Sequence, residues 1–287
     1  MVDFVGMLNV SIVLSALPTN ILLAWAMWVT RKPVDSWTFQ FMFQLTLVHI
    51  VSTFTPLSEM AVNLFNIHLG PVLCKGSLIL FSVMSLLQPW LSCALAFKRM
   101  AYITDVKCFK GLAVNLALLL GGYLLAAAVI ICQIILYFPA KCGYSKNTHV
   151  FGIDIPEKQS DWFSTGTFVR IVVYYITLTA LLLCYTIPAL KSRLRGIDRV
   201  PSLRRLEFII RLIFMETAFW TVLHILSCLP KSMSKHTAAH VVPVYNEMQY
   251  VKPTAYFVLN LTFNRDVRAQ IFGLPRKLMA LFCRCCD

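Results

Sequence analysis

Seven continuous apolar runs, each of about 20 residues or more, follow one another along almost the whole chain. A helix of about 20 apolar residues crosses the ~30 Å hydrocarbon core of a bilayer. The runs do not alternate between polar and apolar residues, as transmembrane strands do, so helices are favoured. The sequence therefore predicts an all-α fold, a bundle of seven transmembrane helices. The predicted spans are 4–30, 37–63, 72–97, 112–138, 168–190, 208–230 and 241–263.

The composition excludes a soluble globule. Hydrophobic residues make up 58% of the 287 residues and charged residues 14%, whereas a soluble domain has about 25% charged residues. The segments between the spans are short, the longest being 139–167 and 191–207, so we expect one membrane domain. The first run is too long for a cleavable signal segment and no basic stretch precedes it, so it is expected to stay as the first helix.

The net charge of +13 is placed unevenly across the predicted membrane. Most lysines and arginines fall on one side of the seven spans, including those in 31–32, 98–99, 191–205 and 276–277. The positive-inside rule assigns this side to the cytoplasm, so the amino terminus is expected outside and the carboxyl terminus inside. The basic residues then serve topology and contact with anionic lipid, and nucleic acid is not predicted as a partner. We expect a multi-pass protein of the cell membrane.

The motifs that mark enzyme active sites are absent from the sequence. It contains no HExxH, GxSxG or phosphate-loop motif, and the acids within the spans form no paired motif. An enzyme is therefore not predicted, and no cofactor or metal is expected.

The cysteines divide by the side of the membrane on which they lie. Cys74 and Cys142 are both expected at the oxidising outer face, where they can pair. Cys283, Cys285 and Cys286 form a cytoplasmic cluster beside basic residues. Zinc binding would need further ligands that this tail lacks, so the cluster predicts reversible S-acylation.

Several predicted helices carry residues in the order of one receptor family. The matching positions are Asn20 in LPTNILLAW, Cys74 opening the third span, Arg99 in the triplet KRM, Tyr185 in LLLCYTIPAL, Trp220, and Pro253 and Tyr256 in KPTAY followed by Phe263. This order resembles that of the rhodopsin-like (class A) G-protein-coupled receptors, over nearly the whole chain. The resemblance implies a receptor that couples to heterotrimeric G proteins, with a short amphipathic eighth helix at about 264–282.

The resemblance also assigns roles to individual residues. It implies a disulfide from Cys74 to Cys142 in the second outer loop. The residues implied in coupling and activation are Arg99, Lys98, Tyr185, Trp220, Pro253 and Tyr256. The residues implied in lining an upper ligand cavity are Glu59, Phe81, Ser85, Arg170, Tyr174, His224 and Tyr245.

The core departs from the family where those receptors hold sodium. His49 stands in place of the second-helix aspartate, Lys252 in place of the seventh-helix asparagine, and Gln88 in place of a small hydroxyl. We therefore expect no sodium site. Lys252 lies at the bilayer midplane, where a charge costs a few kcal/mol unless it is paired, and Glu216 is the expected partner by depth. Glu216, His49 and Lys252 form either a structural buried network or a functional site.

The cytoplasmic face departs as well. Lys98 replaces the acid that usually pairs with Arg99, and no acid occupies the ionic-lock position around Ser202. Two restraints on an inactive state are therefore missing, which predicts ligand-independent signalling. Alternatively, Arg99 only extends to lipid phosphates.

A narrower resemblance comes from Asp35-Ser36-Trp37, Trp90 and Phe219-Trp220 without a following proline. These residues resemble certain receptors encoded by gammaherpesviruses, which signal without a known ligand and reduce surface class I MHC. The resemblance implies a viral receptor with class I MHC as a further membrane partner.

Two other functions fit the residues less completely. A non-signalling membrane adaptor that down-regulates another membrane protein would need no coupling residues. A proton-coupled transporter could use His49, Glu216 and Lys252 as a relay, but seven spans without an internal repeat argue against it.

Overall fold

The computed structural model describes residues 4–30, 36–65, 70–104, 111–137, 141–145, 150–154 and 251–284, with six single residues between 176 and 218. Nearly all of the described residues are helical. The helices are α1 (Phe4–Thr30), α2 (Ser36–Ser52), α3 (Phe54–Phe65), α4 (Pro71–Thr104), α5 (Leu112–Tyr137), α6 (251–263) and α7 (Arg265–Arg284); the strands are β1 (Lys141–Ser145) and β2 (Val150–Asp154).

Among the described residues, three stretches of helix are long and apolar enough to cross a membrane, and the chain is membrane-embedded. They are Trp37–Ser58, Pro71–Lys98 and Leu112–Ile135, and Val13–Val29 forms a shorter apolar helix. The first three correspond to predicted spans two to four, and Val13–Val29 lies within the first predicted span. The predicted spans 168–190 and 208–230, and the first part of 241–263, lie outside the described residues, apart from single helical residues within the first two.

The second predicted span, 37–63, is broken in the structure. Helix α2 ends at Ser52 and α3 begins at Phe54, with a turn at Thr53. Pro56 explains the break, because its ring has no N–H and collides with the carbonyl four residues earlier. The Thr53 hydroxyl donates to the Ile50 carbonyl at 2.6 Å and the Ser52 hydroxyl to the His49 carbonyl at 2.8 Å, so these carbonyls keep a partner at the turn.

Two other helices extend beyond their predicted bounds. The predicted span 72–97 lies within α4, which continues to Thr104 and so carries Lys98 and Arg99 on helix. The predicted eighth helix, 264–282, corresponds to α7. Asn264 caps this helix, because its side-chain oxygen accepts from the Val267 backbone N–H at 3.3 Å.

The predicted loop 139–167 contains a two-stranded antiparallel hairpin. Strand β1 pairs with β2, with Cys142 opposite Ile153 and Gly143 opposite Gly152. Cys74, at the start of α4, forms a disulfide with Cys142, with Cα atoms 6.0 Å apart. The predicted pairing is therefore confirmed, and it fixes the hairpin to the beginning of α4.

Replacing Cys74 with Ala should destabilise the protein by about 2–4 kcal/mol, since the bond closes a long loop in the unfolded chain. We expect lower surface expression and a lower melting temperature in detergent. Cys93→Ala is the matched control, because Cys93 lies on the same helix and forms no disulfide. Equal expression of the two variants would show that the disulfide does not stabilise the fold.

Helix α5 packs against α4 at two adjacent glycines, Gly121 and Gly122. The Trp90 indole N–H donates to the Leu118 carbonyl at 2.7 Å, and its ring lies against Gly121 and Gly122. The opposite face of α5 exposes large aliphatic side chains, as expected of a helix that faces lipid: Leu112, Leu120, Leu124, Ile131 and Ile135. Small residues at the contact let the two helices approach closely.

Gly122→Ala should destabilise the protein by about 1–3 kcal/mol through overpacking. A Cβ at Gly122 would lie 2.5 Å from Trp90 Cδ1, so the indole must shift and strain its bond to Leu118. Thermal unfolding in detergent measures the effect. Gly76→Ala in α4 is the control, since nothing lies within 4 Å of its added Cβ; equal melting temperatures for both variants would refute the close contact.

Candidate functional site

The three positions that depart from the sodium-binding pattern meet in the interior. Lys252, His49 and Gln88 are 0%, 0% and 4% exposed, on α6, α2 and α4. The Lys252 ammonium donates to Gln88 Oε1 at 2.8 Å, and Gln88 Nε2 lies 3.5 Å from His49 Nδ1. Gln88 therefore bridges a buried cation and a buried imidazole.

The orientation of Gln88 determines which nitrogen of neutral His49 carries the proton. An ammonium only donates, so the amide oxygen faces Lys252 and the amide N–H₂ faces His49. His49 Nδ1 must then accept, which leaves the proton on Nε2. Within the described residues, His49 Nε2 has no hydrogen-bond partner. The imidazole also lies against the Tyr256 ring, with 4.6 Å between the ring centroids.

A second set of polar contacts ties α6 to α1 and α2. Asn20 Nδ2 donates to the Pro253 carbonyl at 3.0 Å and to the Ala16 carbonyl at 2.8 Å. The Tyr256 hydroxyl donates to the Met42 carbonyl at 3.2 Å, and Thr46 donates to the Tyr256 oxygen at 3.4 Å. Each such buried bond contributes about 1 kcal/mol net. These contacts, with Lys252–Gln88, hold α6 against α1, α2 and α4.

The side chains of this cluster present hydrogen-bond donors and not the oxygen ligands that a cation needs. Sodium, like other hard cations, is bound by oxygen atoms, but Lys252 and the imidazole N–H present donors, and Gln88 Oε1 already accepts from Lys252. In the part of the chain that the structure describes, no three His, Cys, Asp or Glu side chains are grouped to hold a metal ion.

Sodium should therefore leave the stability of the protein unchanged. Melting temperatures in sodium chloride and choline chloride at equal ionic strength should agree, because a cation entering the cluster would meet the Lys252 ammonium. The same pair of melting temperatures is measured for Lys252→Asn, since this variant removes the ammonium charge. A sodium-specific rise in the melting temperature of the wild-type chain would contradict the prediction.

The structure gives Lys252 the acceptor Gln88, while Glu216, its predicted partner, lies outside the described residues. Lys98 is buried on α4. The backbones of Glu59, Ser85, Arg99 and Cys283 are helical, and their side chains lie outside the described part. Among the residues predicted to line the upper ligand cavity, Phe81 has a described side chain, and it is half-buried on α4. The remaining predicted residues also fall outside: Tyr185, Trp220, Arg170, Tyr174, His224, Tyr245, Ser202, Cys285 and Cys286.

One contact between a cation and an aromatic ring was not predicted from the sequence. The Arg211 guanidinium carbon lies 3.7 Å from the centre of the Phe263 ring. Arg211 belongs to the predicted sixth span and Phe263 ends α6. In the sequence, Arg211 is one of many basic residues, and no spacing rule connects it with Phe263.

Comparisons with known proteins identify no family. No protein-family model matches the chain, and no curated protein matches it.

Proposed function

We propose that this membrane protein is a seven-helix receptor of the rhodopsin-like class that activates heterotrimeric G proteins without a ligand. The observation that supports it best is the contact of His49, Gln88 and Lys252. Motif order singled out these three residues, which are distant in sequence, as one altered site. If the likeness to the receptor family were accidental, there would be no reason for these three side chains, on three different helices, to lie in contact.

Two further contacts favour the same proposal. Asn20, matched to the first-helix asparagine, bonds to the carbonyl of Pro253, matched to the proline of the seventh-helix motif. Cys74 and Cys142, matched to the outer disulfide, are joined. Each contact connects two residues that the resemblance singled out.

The proposed receptor lies in the cell membrane with its amino terminus outside. Arg99, beside Lys98, and Tyr185 and Tyr256 would form the coupling region for a G protein. Helix α7 would lie on anionic lipid through its basic residues, with Cys283, Cys285 and Cys286 available for S-acylation. Class I MHC is the further membrane partner suggested by the narrower resemblance.

Activation of Gα proteins in cells tests the proposal. Cells that carry the chain at their surface should activate at least one Gα family above mock-transfected cells, with no ligand added. If the surface-expressed protein activates no Gα family, the receptor proposal is wrong and the membrane-adaptor function takes its place. Proton flux in proteoliposomes under a pH gradient examines the transporter alternative, for which we expect no flux above empty liposomes.

A further inference from the structure

The imidazole of His49 holds a buried N–H donor at the centre of the bundle. Its Nδ1 faces the amide N–H₂ of Gln88, so the proton of the neutral ring lies on Nε2. His49 is 0% exposed, and Nε2 has no hydrogen-bond partner within the described ranges. Burying a donor without an acceptor is unfavourable. A ligand that accepts a hydrogen bond from Nε2 would therefore stabilise the fold.

A buried positive charge lies on the other side of Gln88. Lys252 is also 0% exposed, and its ammonium donates to Gln88 Oε1 at 2.8 Å. Gln88 contacts both the ammonium and the imidazole, so it places a cation and an N–H donor in one cluster. An ammonium donates hydrogen bonds and accepts none, and the same holds for the imidazole Nε2–H. The cluster therefore suits a ligand that accepts hydrogen bonds and carries a negative charge.

The surroundings of the cluster are apolar. Val48 and Leu87, the sequence neighbours of His49 and Gln88, belong to the buried hydrophobic core, and the Tyr256 ring lies against the imidazole. The attraction between an anion and an ammonium is much stronger in such surroundings than in water. A dianion would bury a charge that the ammonium does not match, and a bulky anion would separate the packed helices. The ligand is therefore expected to be small and singly charged.

We propose that His49 and Lys252 form a binding site for a small monovalent anion of the chloride class. The anion accepts the His49 Nε2–H, and its charge is matched by the Lys252 ammonium, which keeps its bond to Gln88. The site lies where the receptors that this chain resembles hold sodium, so the altered residues exchange a cation for an anion. This inference does not depend on coupling to G proteins.

Melting temperatures of the purified protein in detergent test the site. Chloride replaces gluconate, a much larger anion, at constant sodium concentration and constant ionic strength. A ligand that binds the folded state and not the unfolded state raises the melting temperature in a saturable way. We expect a saturable rise of about 2–6 °C with chloride, and a rise in the same range with bromide.

Two variants each remove one part of the site. Lys252→Met removes the charge and His49→Leu removes the donor, and both should lose the chloride-dependent rise, whatever their melting temperature in gluconate. Lys141→Met is the matched control, since Lys141 is an exposed lysine of β1, and it should keep the full rise. If Lys141→Met loses the rise as well, chloride acts on surface charge and the site is refuted. If one core variant does not fold, the other gives the same test.

Chloride nuclear magnetic resonance measures binding directly, because the chloride line broadens when the ion exchanges with a protein site. We expect broadening by the wild-type chain that excess bromide reverses, and much less broadening by Lys252→Met. Equal broadening by the two chains, or a wild-type melting temperature that does not respond to chloride, overturns the proposal.

Glu216 provides the competing account, in which a carboxylate of the chain neutralises Lys252. A chloride response that is absent from the wild-type chain and appears only with Glu216→Gln would support that account and overturn the anion site. Neither measurement involves a G protein. A chain that binds chloride and catalyses no nucleotide exchange therefore refutes the receptor function alone, and exchange without a chloride response refutes the anion site alone.

Discussion

Gln88→Leu is expected to lower the free energy of unfolding by about 1.5–3 kcal/mol, because it removes the acceptor of a hydrogen bond from a buried ammonium. Lys252 is buried, and its Nζ lies 2.8 Å from Gln88 Oε1. The measurement is thermal and denaturant unfolding of the purified protein in detergent. Gln133→Leu is the matched control, since Gln133 is also buried and its oxygen has no partner among the described residues.

Combining Gln88→Leu with Lys252→Met should restore most of this stability. Replacing both partners of a buried polar contact with apolar residues of similar size is often neutral. If Gln88→Leu is as mild as Gln133→Leu, or if the double variant is no more stable than Gln88→Leu, the Lys252–Gln88 bond does not hold the cluster together.

Lys98→Asp is expected to lower basal signalling by about 2- to 30-fold at unchanged surface expression. A gap of ~2.7 kcal/mol between inactive and active states keeps the active state near one per cent, since 1.4 kcal/mol is tenfold. Each missing restraint on Arg99 contributes roughly 0.5–2 kcal/mol to such a gap. Lys98 is 6% exposed on α4, so an acid at this position would act on Arg99 with little screening by water.

Gα activation in cells, normalised to surface expression, measures this effect. Lys98→Gln is the control, because it removes the positive charge without adding an acid, and it should fall between wild type and Lys98→Asp. Basal signalling that is equal in all three chains would show that the residue beside Arg99 does not set the active population.

The membrane helices were predictable because hydrophobic length is a local property. Spans two to four follow directly from their apolar runs. The break at Thr53 was not predicted, although Pro56 is visible in the sequence, because apolar residues continue through it and membrane helices often accommodate proline. The hairpin around Cys142 was missed because KCGYS and VFGID are short and each contains a glycine, which weakens a strand.

The depth of the candidate-site residues along their helices could be predicted from the sequence, but the contacts between their side chains could not. Motif order placed His49, Gln88 and Lys252 at one depth, since each lies a fixed number of residues from a recognisable motif. Depth alone does not decide which side chain Lys252 meets, because that depends on the rotation of each helix about its axis. The structure provides Gln88 as an acceptor for Lys252, and Glu216, the partner predicted by depth, lies outside the described residues. The Arg211–Phe263 contact depends on the same rotation, so no sequence spacing revealed it.

Guanine-nucleotide exchange by purified G protein is the most direct test of ligand-independent receptor function. The wild-type chain in lipid nanodiscs, without added ligand, is mixed with heterotrimers of each Gα family, and GTP-analogue uptake is compared with that of empty nanodiscs. We expect faster uptake by at least one family, and slower uptake when Lys98→Asp replaces the wild-type chain. Uptake equal to that of empty nanodiscs for every family, with correctly folded and disulfide-bonded protein, would contradict the receptor function.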